Sequence, residues 1–240
     1  MRILFSLAVI LAAACSGNSS PAAQARTDPT DASSGSLVVV ELFQSQGCSS
    51  CPPANANVNV LANRPGVLAL SFAVTYWDHL GWKDRFAQPA FTQRQRDYAK
   101  SGQSDGVYTP QVVINGSRAV VGANAATLAK AIRAAGSLTG GPVLSREGSR
   151  LTIGAAANAV PAKVLLVTYD PRERPVPIKA GENTGKTLPH RNIVTEVAVA
   201  GTWTGKPLSI ALPDPVDPAL RRAVLLQQGT GGKLIAAMKL

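Results

Sequence analysis

Cysteine and histidine are scarce in this chain: three and two respectively in 240 residues. That leaves little material for a disulfide framework or for a metal cage built from thiols and imidazoles. Aromatic residues make up 5% of the chain, as three Trp, four Tyr and five Phe. So few rings cannot supply a stacking surface for a nucleic-acid strand. Acidic side chains are the minority, 14 against 24 basic ones, for a net charge of +10. The excess is dispersed: residues 36–136 carry nine basic and five acidic side chains, and residues 142–240 carry thirteen and seven. No five like charges are consecutive, so solvated faces account for the charge and nucleic acid is excluded as a partner. Recognisable cofactor and hydrolase signatures are missing too. There is no G-x-S-x-G, no H-E-x-x-H and no phosphate-cradling glycine loop ahead of a helix, and no cofactor is implied. Gly229–Gly232 precedes Lys233 but lies between two apolar stretches, where it reads as a hairpin turn. No internal repeat is present.

What the chain does have begins with a leader. Arg2 followed by the apolar stretch Ile3–Ala14 reads as an export signal, too short to span a bilayer as a mature helix. Two processing readings stand side by side. Ala23-Gln24-Ala25 fits the small-x-small rule of ordinary cleavage. Leu11-Ala12-Ala13-Ala14-Cys15 resembles a bacterial lipobox, with Ala12 where a Leu is usual, which makes Cys15 a lipidated first residue and a membrane tether. The Ser/Pro-rich run to residue 36 reads as a flexible tether. Either way the mature protein keeps two cysteines, Cys48 and Cys51, in an exported, oxidising setting such as the bacterial periplasm. A loop as short as C-x-x-C constrains little of the unfolded chain, so a folding staple is a poor use of it.

The setting of that pair carries the chemistry. Leu37–Phe43 is apolar and β-branched and reads as a buried strand. A short polar turn follows to Gly47, then Cys48-Ser49-Ser50-Cys51, then Pro52-Pro53 and a helical pattern of Ala54, Val58 and Leu61 that Pro65-Gly66 ends. Val67–Trp77 reads as a second buried strand, parallel to the first. Asp78–Gly106 reads as an insertion with a polar-aromatic loop and a helix from Pro89 to Lys100. Pro110 opens a short strand, Asn115-Gly116 turns it into a hairpin, and Asn124 and Gly136 bound a last helix.

At a strand-to-helix turn a thiol meets unpaired N–H groups and drops in pKa. Cys48 therefore reads as the nucleophile, more exposed than Cys51, and Cys51 as the resolving thiol of a dithiol exchange site. Ser-Ser between them leaves the redox direction open. A structural disulfide and a metal clip for copper or zinc, with His79 as a further ligand beside Cys48 and Cys51, are the competing readings. Glu41 has two readings, a buried proton relay to Cys51 or an outward edge residue, the latter preferred. Trp77 and Trp82 read as packing or as an apolar rim for a peptide substrate. His190 lies in a long polar connection, Asp170–Asn192.

Together, the dithiol after a first strand, Thr109-Pro110 before a hairpin and a closing helix resemble the thioredoxin fold. That resemblance implies a cis peptide at Pro110 facing the dithiol, with Thr109 beside it meeting substrate backbone. More narrowly, FQSQGCSSCPP, TYWDHLGWKDRFAQPAFTQRQRDYA, YTPQVVINGSRAVVG and GENTGKTLPHRNIV are similar to the DUF1223 family, exported bacterial proteins with a thioredoxin-like domain. The expected plan is a leader and tether (1–36), an α/β thioredoxin-like domain with a helical insertion (37–139) and a mostly antiparallel, β-sandwich-like domain (140–240). The expected function is thiol–disulfide exchange with a disulfide or dithiol partner in the cell envelope. The alternatives are metal binding and a non-catalytic interaction role.

Overall fold

The computed structural model describes residues 37–157 and 159–240, so the leader, its cleavage signals and Cys15 lie outside the described residues. Its first half alternates strand and helix: β1 (Val38–Gln44), α1 (Pro52–Leu61), β2 (Val67–Ala73), α2 (Pro89–Lys100), β3 (Gln111–Ile114), β4 (Arg118–Val120) and α3 (Ala125–Ala135). Strands alone follow: β5 (Leu144–Glu147), β6 (Arg150–Ile153), β7 (Ala162–Asp170), β8 (Arg174–Pro177), β9 (Thr187–His190), β10 (Ile193–Trp203), β11 (Leu208–Ala211), β12 (Arg221–Gln228) and β13 (Leu234–Lys239).

Eight of these strands form one sheet in the order β13-β12-β7-β10-β2-β1-β3-β4. β2 runs parallel to both β1 and β10; the other neighbours are antiparallel. The largely apolar signature of β1 and β2 follows from their position, since both are buried at every residue. Alternation divides their side chains between two cores. Val38, Val40 and Leu42 meet Ala54 and Val58 of α1 and Leu128 and Ile132 of α3. Val39 and Phe43 face the other way, where Phe91 and Tyr98 of α2 pack against β2, β7, β10 and β12.

Local signals act where the sequence puts them. The Asn115-Gly116 pair takes positive φ at both positions (51° and 61°), as a tight β3–β4 hairpin requires. The Asn124 side chain accepts from Thr127 N at 2.9 Å and caps α3, which Gly136 ends at φ 62°.

The alternating segments after Gly140 do stack in two layers. β5, β6 and β11 form a three-stranded sheet whose Leu144, Leu151 and Ile153 meet Val164, Leu166, Val224, Leu226 and Met238. The inner of these layers is the same eight-stranded sheet: Ile193 of β10 pairs with Ser71 of β2, and Asn192 accepts from Ser71 N and donates through Nδ2 to Ala69 O. The two halves thus share one sheet.

Candidate functional site

The dithiol turn sits where β1 leaves the sheet. Cys48 N donates to Ser45 O, and Cys51 N donates to Cys48 O, so the two thiols share one tight turn. Cys51 is the N-cap of α1 and makes no side-chain cap bond; its carbonyl accepts from Asn55 N. Pro52 and Pro53 fill the first two helical positions, which removes two of the N–H donors a helix start normally offers an anion. Stabilisation of a thiolate must then come chiefly from side chains.

The geometry provides it. Both cysteines are free and lie side by side. The Cys48 thiol is pulled from 9.0 to about 6, chiefly by the hydrogen bond from the Cys51 thiol, against the opposing effect of burial and with help from Ser50, whose Oγ is 3.2 Å from Cys48 Sγ. Burial, then the neighbouring Cys48, pushes the Cys51 thiol far up. One sulfur is therefore poised as an anion and the other held as its proton-bearing donor. The Thr109–Pro110 bond is cis, and Thr109 O lies 3.8 Å from Cys48 Sγ and 3.4 Å from Ser50 Oγ.

Cys48 is not the more exposed thiol. Both sulfurs are fully covered, while Ser49 and Ser50 face solvent. The turn that carries them is bound in part by the second half of the chain. The long polar connection expected between Asp170 and Asn192 is a two-stranded arm, β8 paired with β9, whose tip reaches the turn. Glu182 Oε2 accepts from Ser49 N at 3.0 Å; Asn183, itself fully buried, donates through Nδ2 to Gln46 O and Cys48 O, each at 2.9 Å. Both lie in the GENTGKTLPHRNIV block similar to the family, but nothing in the sequence placed them at the dithiol turn.

The tryptophans frame the same turn. Trp77 Nε1 donates to Thr109 Oγ1 at 2.8 Å, and Trp82 Nε1 donates to Gln46 Oε1 at 2.9 Å. Asp84 is buried and accepts from Gln46 N; burial raises its carboxyl to about 6.

Other candidates go elsewhere. Glu41 is neither an edge residue nor a thiol relay: it is fully buried, with Arg94 at 2.8 Å and Tyr98 on its other oxygen. β1 faces α2 on that side, so the carboxylate needs a cation, and α2 supplies it. His79 is exposed in the insertion loop. Among the described residues no three of His, Cys, Asp and Glu gather as a metal site, so His79 does not complete a ligand set with the two thiols. His190 ends β9 at the base of the arm, edge-on to Phe86 and 3.5 Å from Asn55 Nδ2; burial lowers it to about 4 and keeps it neutral.

A family model described as a protein of unknown function, DUF1223, matches residues 39–227, which include the dithiol, the cis-proline and the whole arm. The chain belongs to the DUF1223 family. Protein AGR_C_4864 from Agrobacterium tumefaciens, whose crystal structure is known, is similar at 32% identity and a TM-score of 0.70, over 85% of this chain and 93% of that one. HBP35 of Porphyromonas gingivalis resembles it in fold, at 13% identity and a TM-score of 0.58, over 85% of this chain and 74% of the other. No curated protein sequence matches this DUF1223 chain.

Proposed function

We propose that this DUF1223 protein is a thiol–disulfide oxidoreductase of the cell envelope, with a thioredoxin-like first half. The observation that carries the reading is the split between the two thiols: Cys48 held near pKa 6 by the proton of Cys51. The β1-α1-β2 unit with the dithiol at its turn, the β3–β4 hairpin and the cis Thr109–Pro110 bond beside the sulfur support the fold assignment.

In the reducing direction the Cys48 thiolate attacks one sulfur of a partner disulfide. A Cys48–partner disulfide forms, the partner's S–S bond breaks, and the second partner sulfur leaves as a thiolate. Cys51 then loses its proton and attacks Cys48, forming the Cys48–Cys51 disulfide and releasing the other partner thiolate. Two electrons pass from the dithiol to the partner, and the oxidising direction is the reverse. Ser50 serves as a hydroxyl donor to the Cys48 thiolate, while Trp77 fixes Thr109. Export on the Ile3–Ala14 leader, with lipidation at Cys15 as a tether, belongs to the same proposal.

The test is exchange with a model disulfide by the reduced protein. Cys48→Ser abolishes it, and Cys51→Ala traps the mixed disulfide on Cys48. Wild-type exchange rates in Cys48→Ser would sink the proposal.

A further inference from the structure

A dithiol whose nucleophilic sulfur has no exposed surface cannot meet a partner disulfide as it stands, because displacement needs the incoming sulfur in line with the attacking one. The turn at Gln46–Ser49 is met from outside its own neighbourhood by Trp77, Trp82, Asp84 and Thr109 of the first half and by the tip of the arm. Its strands continue the β7–β10 ribbon after a break: Asp170 pairs with Ile193, then Arg174 pairs with His190. At the break Asp170 binds Arg172 and Arg174, and Asn192 takes a positive φ of 48°. Beyond it, Val176, Ile178 and Leu188 dock the arm's stem on Trp82 and Phe86, and Asn59 holds Pro189 O and Arg191 N.

The tip is attached differently from the stem. Residues 179–182 and 184–187 are exposed or half-buried, and Asn183 alone is inserted. Gly181, at φ 75°, lies against Trp82, where an added Cβ would come within 3.2 Å of the Trp82 Cβ. Three hydrogen bonds join the tip to the dithiol turn, one accepted by Glu182 and two donated by Asn183. All three end on backbone groups of residues 46–49, so they hold the turn without using the sulfurs.

We infer that the arm tip, Gly181–Thr184, is a gate that closes over Cys48 and is latched by Glu182 and Asn183. Exchange proceeds only from the open state. The stem stays docked while the tip lifts, since the apolar contacts lie below the glycine and the polar ones above it. The inference builds on the dithiol reading and adds its control: a partner reaches Cys48 by displacing bonds to Gln46, Ser49 and Cys48 backbone.

The experiment measures the rate at which the reduced protein, mixed with 2-hydroxyethyl disulfide at neutral pH, passes to the Cys48–Cys51 disulfide that follows attack by Cys48, with the pairing read by mass spectrometry. In the wild type the rate levels off as reagent rises, because opening becomes limiting. In Glu182→Ala/Asn183→Ala it stays proportional to reagent and is faster by roughly tenfold or more. Glu182→Gln, which keeps an acceptor for Ser49 N, stays within about twofold of wild type. Should the double variant lose its fold by circular dichroism, Glu182→Ala alone, at an exposed position, carries the comparison. Equal, reagent-proportional rates in wild type and variant overturn the gate while leaving the dithiol reading intact. A folded, open variant whose Cys48 still fails to react overturns both.

Discussion

The pH at which Cys48 becomes reactive is the sharpest number the site yields. A thiol at about 6 in place of 9.0 is about nine-tenths ionised at pH 7, against about one part in a hundred for an ordinary one. The gain in thiolate is thus about ninetyfold. A weaker base is also a weaker nucleophile: with a Brønsted slope of about 0.4–0.5, three pH units cost roughly 16- to 30-fold in intrinsic rate. The net advantage at pH 7 is only about three- to sixfold, so absolute rate is a poor probe and the midpoint a good one. Dilute iodoacetamide, with the adduct located by mass spectrometry, should give a profile for Cys48 centred near pH 6. Cys51→Ala removes the largest cause of the lowering and should move the midpoint up toward 9. Stability follows the same shift: with the folded value depressed, Cys48 adds stability as pH rises from about 6 to 9 and loses it as pH falls through 6. Above 9 Cys51 acts in the opposite sense, because it ionises in the unfolded chain and not in the fold. A wild-type alkylation midpoint at 8 or higher, or no movement of it in Cys51→Ala, refutes the account of the paired thiols.

Three further outcomes are expected. Glu41→Gln leaves Arg94 buried without its counter-charge and should cost about 3 to 5 kcal/mol in urea unfolding while leaving the Cys48 midpoint unmoved; a moved midpoint would tie Glu41 to the thiols after all. His190 and Asp84 oppose each other between pH 4 and 6. Burial lowers the histidine from 6.5 to about 4, which costs stability as pH falls through that range, and raises the aspartate from 3.8 to about 6, which costs stability as pH rises through it, about 3 kcal/mol each. His190→Leu should therefore grow less stable from pH 4 to 6, and Asp84→Asn more stable; parallel slopes in the two variants would be the failing result. Gly122→Ala, at φ 79° with Val112 Cγ2 against the new methyl, should lower the melting temperature through β3 and leave the β12–β13 region intact by hydrogen exchange.

Much of this was legible in the sequence wherever a local rule decided it. The β-branched run gave β1, Pro89 and Lys100 bounded α2, and the cap at Asn124 and the Asn115-Gly116 turn acted as short-range signals do. The dithiol itself could be read from spacing and setting. What could not be read was pairing over distance. β8 and β9 carry Pro175, Pro177 and Pro189, which argue against strands unless they form an isolated ribbon, as they do here. Glu182 and Asn183 reach the backbone of the dithiol turn across more than 130 residues, with nothing in their own composition to say so. Glu41 looked like an edge position because a lone carboxylate in an apolar strand usually faces water; its cation is 53 residues on, across the core.

The single parallel contact between β2 and β10 also sets how this polypeptide can be divided. Cutting after Thr139 would strip β2 of the neighbour that accepts its Ser71 N–H, and would take Leu165, Val167, Tyr169, Ala223 and Leu225 from the core that Phe43 and Phe72 share. The resulting fragment would carry the dithiol, but with a freshly opened sheet border lined by apolar side chains, a template on which two such fragments zip together. The dithiol half is therefore not a portable module, and work on its chemistry calls for the chain through Leu240.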